Sequence, residues 1–169
     1  MPSAAGALAR LALARAQAEG IKLDPLLKGA GLTLQQLANC KTWIPVRDQI
    51  KFVNLVADAL DDESLGFHLA QDFDLRQVGL FYYVMASSDA VGEALQRASR
   101  YTAIVNEGVA LTYKSGTEFA VTCKYVGVSR HLDRHQMEFW LTGLVRTVRQ
   151  LTGLRLTPVR VRIAHRRNL

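Results

Sequence analysis

Two histidines one helical turn apart, His131 and His135, followed a turn later by Glu138, have the spacing with which a helix offers imidazole and carboxylate ligands to a metal. Arg130 and Arg134 stand beside them, and two adjacent cations oppose a divalent ion. The favoured reading is therefore polar groups at a helix start, with no metal. Cys40 and Cys123 lack a second Cys or His at zinc-ligand spacing and read as two buried thiols in a reducing compartment. The chain has no GxSxG elbow, phosphate-binding loop, GxGxxG or HExxH. No catalytic residue and no cofactor are expected.

Binding chemistry has better support. A small-molecule pocket wants apolar and aromatic walls with a few placed polar groups. The residues of that type are His68, Phe81, Tyr82, Tyr83, Arg100, Tyr101, Tyr125, Gln136, Phe139 and Trp140. Taken singly, each aromatic is first a core residue, and His68, Arg100 and His135 are first surface or half-buried groups. What raises them together is convergence: three segments must pack on one another to bury their apolar faces.

Those segments are legible from periodicity. Ser87-Ser88-Asp89, with Glu93 behind, predicts a helix cap. From Val91, the residues Ala94, Leu95, Ala98, Tyr101, Thr102 and Val105 fall on one face, with Glu93, Gln96, Arg97 and Arg100 opposite. Asn106-Glu107-Gly108 tolerates a left-handed turn and stops that helix. Two β-segments, Val109–Tyr113 and Glu118–Val126, then flank a Gly turn, with Phe119, Val121, Cys123 and Tyr125 on one face. His131–Leu151 is a long amphipathic helix closed by Gly153, and the alternation in 158–165 predicts a further strand.

The first half is helical. Ala4–Glu19 is rich in helix formers and stops at Gly20; Asp24-Pro25 suits a cap and first helical position; Thr33 starts a second short helix. This pair imitates a helix-turn-helix, but its second helix offers Gln35, Gln36 and Asn39 and no arginine, so ordinary helix packing is expected. Trp43-Ile44-Pro45 breaks the run, Val46–Leu60 resumes it, and Asp61-Asp62-Glu63-Ser64 caps a helix from Leu65. A helix stopping at Gly79 and a short one after it follow. The sum is an α+β fold: a helical N-terminal part over 1–64, then over 65–169 a small β-sheet packed with long helices, one domain overall.

The chain of 169 residues, 49% hydrophobic and 21% charged, is long enough to bury such a core. Arg10 and Arg15 interrupt the apolar start, so neither a membrane span nor a secretory signal is read there, and a cytoplasmic location is expected. The net charge of +6 invites a nucleic-acid reading. Nine arginines against two acids lie from Arg130 onward, which favours a solvated or domain-contacting end of the chain over a DNA-reading one.

Gly66 to His68, Gly79-Leu80-Phe81-Tyr82-Tyr83, Ser87-Ser88, Glu93-Ala94-Leu95 and Arg100-Tyr101 resemble the N-terminal, arabinose-binding-like sensor domain of AraC/XylS-type transcription regulators. The resemblance covers nearly the whole chain. It implies a small-molecule effector, drawn from a range of sugars, amino acids and other metabolites. It also implies promoter DNA as a partner through a paired helix-turn-helix domain beyond Leu169, activation of transcription, and a homodimer. The alternative function is a dimerisation module without an effector.

Overall fold

The computed structural model describes residues 1–129 and 132–164. Along the chain run β1 (Ser3–Ala4), α1 (Ala7–Ala18), α2 (Leu23–Ala30), α3 (Leu34–Ala38), β2 (Ile44–Pro45), α4 (Val46–Leu60), α5 (Leu65–Asp72), α6 (Leu80–Ala86), α7 (Val91–Tyr101), β3 (Val109–Lys114), β4 (Ala120–Tyr125) and α8 (Arg134–Thr152). Short 3-10 turns occupy Leu75–Val78 and Thr102–Ile104. The fold is α+β, as the periodicities require.

Local chemistry explains most starts and stops. At α3, Thr33 Oγ1 accepts from the Gln36 N–H at 3.2 Å while Gln36 Oε1 accepts from the Thr33 N–H at 2.8 Å, a reciprocal cap. At α2 the cap is Lys22, so Asp24 and Pro25 fall inside the first turn, where proline's missing N–H leaves no bond unmade. The cap expected from Ser87, Ser88 or Asp89 is not used: Ala90 precedes α7. Instead, Glu93 Oε2 accepts from the Asp89 N–H at 3.1 Å and Glu93 Oε1 takes Arg97 Nη2 at 2.6 Å. Nor does Asn106-Glu107-Gly108 turn left-handed; Asn106 Oδ1 holds the turn by accepting from the Gly108 N–H at 3.0 Å.

Two antiparallel pairs carry the β-structure. β3 and β4 form the expected hairpin, with Val109 opposite Tyr125, Leu111 opposite Cys123 and Tyr113 opposite Val121. Phe119 lies just outside the strand and is exposed, its ring tilted against that of Tyr113 at a centroid separation of 5.8 Å. The second pair is not legible in the sequence: β1 lies on β2, with Ser3 opposite Pro45 and Ala4 opposite Ile44. The same N-terminal segment reaches the far side of the domain. Ala5 N–H donates to Val105 O, Glu107 N–H donates to Ser3 O, and the Ser3 amide and hydroxyl both donate to Glu107 Oε2 at 2.8 Å. The serine's bonds hold the Glu107 carboxyl below the usual carboxylate range.

The strand predicted over 158–165 is not formed. Residues 158–164 have no regular structure, and His165 lies outside the described residues. Alternation makes a strand only beside a partner that completes its ladder, and this segment has none among the described residues. Cys40 is exposed, contrary to the buried-thiol reading, whereas Cys123 is partly buried on the inner face of the hairpin.

The principal core joins Leu8, Leu13, Leu27, Leu37, Ile44, Phe52, Val53, Val56, Leu65 and Leu69 from α1 through α5, with Phe139 of α8 packed against it. α5 meets α8 at Gly66. A Cβ placed there would lie 2.1 Å from the His135 carbonyl oxygen and 2.8 Å from Glu138 Cβ, so the two helices sit closer than any side chain at position 66 permits. Arg146 closes the other end of this contact: its Nη1 donates to the carbonyls of Ala70 and Phe73, groups that the end of α5 leaves unpaired.

Gly66→Ala is expected to lower unfolding free energy by about 3 kcal/mol or more, since the clash is with backbone. Gly143→Ala, on α8 where a Cβ meets nothing within 4 Å, is expected to raise it by up to about 1 kcal/mol. Urea-denaturation midpoints of the two variants test the contrast.

Candidate ligand-binding site

Between the N-terminal segment, the 3-10 turn with α6, and α8 lies a partly open cavity of about 250 Å³. Its walls are mostly apolar. Ala4, Ala7 and Leu8 come from β1 and α1; Phe73, Leu75, Val78, Phe81, Tyr82 and Met85 from the α5–α6 region; and Phe139, Trp140, Gly143 and Leu144 from α8. The rings are fixed by one another: Phe81 stands edge-on to Trp140 at 6.0 Å and Phe73 is tilted against Phe139 at 5.5 Å. The Tyr82 hydroxyl accepts from Gln150 Nε2 at 2.8 Å, which turns that ring toward α8.

The polar end of the cavity is a buried chain of amides. Asn106 Nδ2 donates to the Tyr125 hydroxyl at 2.9 Å; that hydroxyl donates to Gln136 Oε1 at 3.0 Å; and Gln49 Nε2 donates to the same oxygen at 3.3 Å. Gln49, Asn106 and Gln136 all line the cavity, and Tyr125 lies behind them, almost fully buried. Burial pushes the Tyr125 phenol up, far from ionisation at neutral pH, so it stays a donor. Two buried atoms of this chain have no hydrogen-bond partner among the described residues: Gln49 Oε1, an acceptor, and Gln136 Nε2, a donor. Turning both amides over exchanges the two roles and leaves each glutamine with one unmet atom. Unmet polar atoms inside a protein cost about 1–3 kcal/mol each, a cost that a bound partner removes.

Of the residues singled out from sequence, the structure brings Phe81, Tyr82, Gln136, Phe139 and Trp140 to this cavity, with Tyr125 supporting them. Four others lie elsewhere. Tyr83 is 57% exposed, because neighbouring positions on a helix point about 100° apart and only Tyr82 can face inward. Arg100 and Tyr101 border a second, more polar and more open depression with Glu93, Gln96 and Arg97 on the outer side of α7. The buried stripe of that helix is Ala94, Leu95 and Ala98, and it passes to Thr102, whose hydroxyl donates to Ala98 O at 2.6 Å, leaving Tyr101 outside. His68 is on the solvent side of α5, its Nδ1 2.8 Å from Asp62 Oδ2. His131 lies outside the described residues, while His135 is buried with Nδ1 3.5 Å from Glu138 Oε2. Among the described residues no group of three or more His, Cys, Asp or Glu could hold a metal.

Sequence reasoning missed the N-terminal wall, Gln49, Asn106 and Gly143. Gln49 carried a usable signal: a polar residue inside the apolar period of α4, where Ile50, Phe52 and Val53 are buried around it.

Residues 20–168 match the arabinose-binding domain found at the N-terminus of AraC transcription regulators. The chain belongs to this family. It has no match among curated proteins. The family match runs over the hairpin, α6 and α8, and so includes most of the cavity; β1 and α1, which close it on one side, precede the matched residues. No described helix of this AraC-type domain is long and apolar enough to cross a membrane.

Tyr125→Phe removes the donor that Gln136 Oε1 accepts and is expected to cost about 1–3 kcal/mol. It should also flatten the alkaline limb of the stability curve. A phenol with a raised folded pKa is protonated in the native state while the unfolded phenol ionises near its ordinary value of about 10, so stability falls as pH rises above that value. Denaturation of both proteins between pH 8 and 11 on the order of half-unit steps measures the difference in slope.

Proposed function

We propose that this chain is the effector-binding part of an AraC-type regulator and that a small metabolite occupies the cavity beside Gln49 and Gln136. Family membership makes it a ligand-sensing regulatory domain. The observation that carries the location is the pairing of aromatic walls with two buried, unmet polar atoms, which is the composition of a site built to hold an organic molecule in one orientation. Control of promoter DNA through a downstream helix-turn-helix domain, activation and homodimer formation follow from the family reading and are part of the proposal.

The mechanism needs two arrangements of the domain with different affinity for the effector. The cavity supplies the contacts for that difference, because its walls belong to segments distant in sequence: β1 and α1, α6, the Asn106 turn and α8. An effector bridging them favours the arrangement in which they are together.

A thermal-melt screen against sugars, amino acids, carboxylic acids and nucleotides tests the proposal. A ligand at a hundredfold excess over its dissociation constant stabilises the folded chain by about 2.7 kcal/mol. Gly143→Phe projects a ring from α8 into the space where a Cβ meets nothing within 4 Å, so it should abolish the shift without lowering the melting temperature of the unliganded chain. A ligand whose shift survives Gly143→Phe binds elsewhere and overturns the location.

A further inference from the structure

We infer that the cavity takes a small monoanion, a carboxylate carried on an aromatic or short aliphatic body, with Arg10 as its counter-charge. The inference rests on the cavity being the effector site. Arg10 lies on α1 and lines the cavity, and its Nη1 is buried with no hydrogen-bond partner among the described residues. Its seat is made by Gly6: a Cβ there would come within 3.0 Å of that nitrogen. Burial lowers the Arg10 pKa, and no carboxylate is paired with it among the described residues. A guanidinium remains charged in proteins and carries five donors; Arg10 is only partly buried, and its Nη1 is the buried donor that an anion in the cavity would satisfy.

The rest of the lining selects the ligand's class by charge, polarity and size. No Asp or Glu lines the cavity among the described residues, so an ammonium group would enter without a counter-charge. A polyhydroxylated ligand needs a converging set of donors and acceptors. Here the Asn106 amide is already engaged by Tyr125 and Gly108, and the Thr147 hydroxyl donates to Gly143 O at 2.8 Å. The lining residues carry three buried atoms without a hydrogen-bond partner among the described residues, Arg10 Nη1, Gln49 Oε1 and Gln136 Nε2, enough for a carboxylate and one further polar contact. In size, a cavity of about 150 Å³ holds a benzene molecule. The volume here, about 250 Å³, leaves room beyond one ring for a short arm ending in a carboxylate. Arg10 also precedes residues 20–168, so the charge selection comes from a part of the chain outside the family match.

The test is a charge series read by calorimetry and thermal melts on the whole chain: 3-phenylpropionate and octanoate against 3-phenylpropanamide, 3-phenylpropanol and 3-phenylpropylamine. The acids are expected to bind at least tenfold more tightly than the amide and alcohol, and the amine not at all. Arg10→Gln should bring the acids to the affinity of the amide and leave the amide unchanged. The amide or alcohol binding as tightly as the acids, or Arg10→Gln leaving the acids unaffected, overturns the anionic class. The series on the unmodified chain decides even where Arg10→Gln fails to fold. A neutral or cationic member that binds alone and is expelled by Gly143→Phe defeats the charge selection but not the cavity. If no member binds and no compound of the broader screen is expelled by Gly143→Phe, both readings fall together.

Discussion

The approach of α5 to α8 at Gly66 is the constraint from which the site follows. With no Cβ between the helix and the His135 carbonyl, the two backbones touch, and the rotation of α8 about its own axis is fixed at that point. His135 and Glu138, three residues apart, then face α5, and Gln136, Phe139, Trp140 and Gly143 are carried to the cavity side by helical geometry alone. Arg146 fastens the far end by donating to Ala70 and Phe73 carbonyls, which holds Phe73 where its ring meets Phe139. A looser α5–α8 contact would leave the aromatic walls free to collapse on one another.

Against that rigid side stands a polar chain that stability alone does not explain. Asn106, Tyr125, Gln136 and Gln49 join the turn before β3, the hairpin, α8 and α4, so it ties four elements through hydrogen bonds made away from water. Apolar residues of the same volume would pack the same space with no unmet atoms. A core that instead keeps Gln49 Oε1, Gln136 Nε2 and Arg10 Nη1 buried and unpaired departs from the rule its other residues obey, and such departures concentrate at functional sites.

How far the sequence announced this arrangement varies with the range of the interaction that creates each element. α4, α7, α8 and the hairpin were legible because their apolar residues repeat at the helical or strand period, and the α3 cap because Thr33 and Gln36 are three residues apart. β1 was not, since two residues have no period and their partner Ile44 is 40 positions away from Ala4. Arg10 read as an interruption of an Ala/Leu helix, because nothing local shows that β1 and the Asn106 turn fold over that side of α1. Tyr82 and Tyr83 had equal claims until the rotation of a seven-residue helix separated them. The strand expected over 158–165 errs in the opposite direction: 158–164 have the local pattern but no strand partner among the described residues.

The basic charge of the chain is also redistributed once the described arginines of its C-terminal part are traced to their contacts; Arg130, Arg166 and Arg167 lie outside the described residues. Composition places the excess at the C-terminal end, where it resembles a surface for nucleic acid. Yet Arg134 pairs with Glu138 at 3.1 Å, Arg146 serves the end of α5, and Arg149 Nε donates to Leu156 O at 2.7 Å. Arg146 and Arg149 each satisfy a carbonyl that a helix end or the following segment leaves open, and Arg134 pairs with a carboxylate one turn along α8. Arg155, Arg160 and Arg162 remain exposed among Leu154, Leu156, Val159 and Val161, a mixture of cations and apolar groups rather than a continuous basic face. Phosphate backbones are bound by clustered cations, and their affinity scales with the number neutralised. A segment in which apolar side chains alternate with the arginines fits a protein surface better than a duplex.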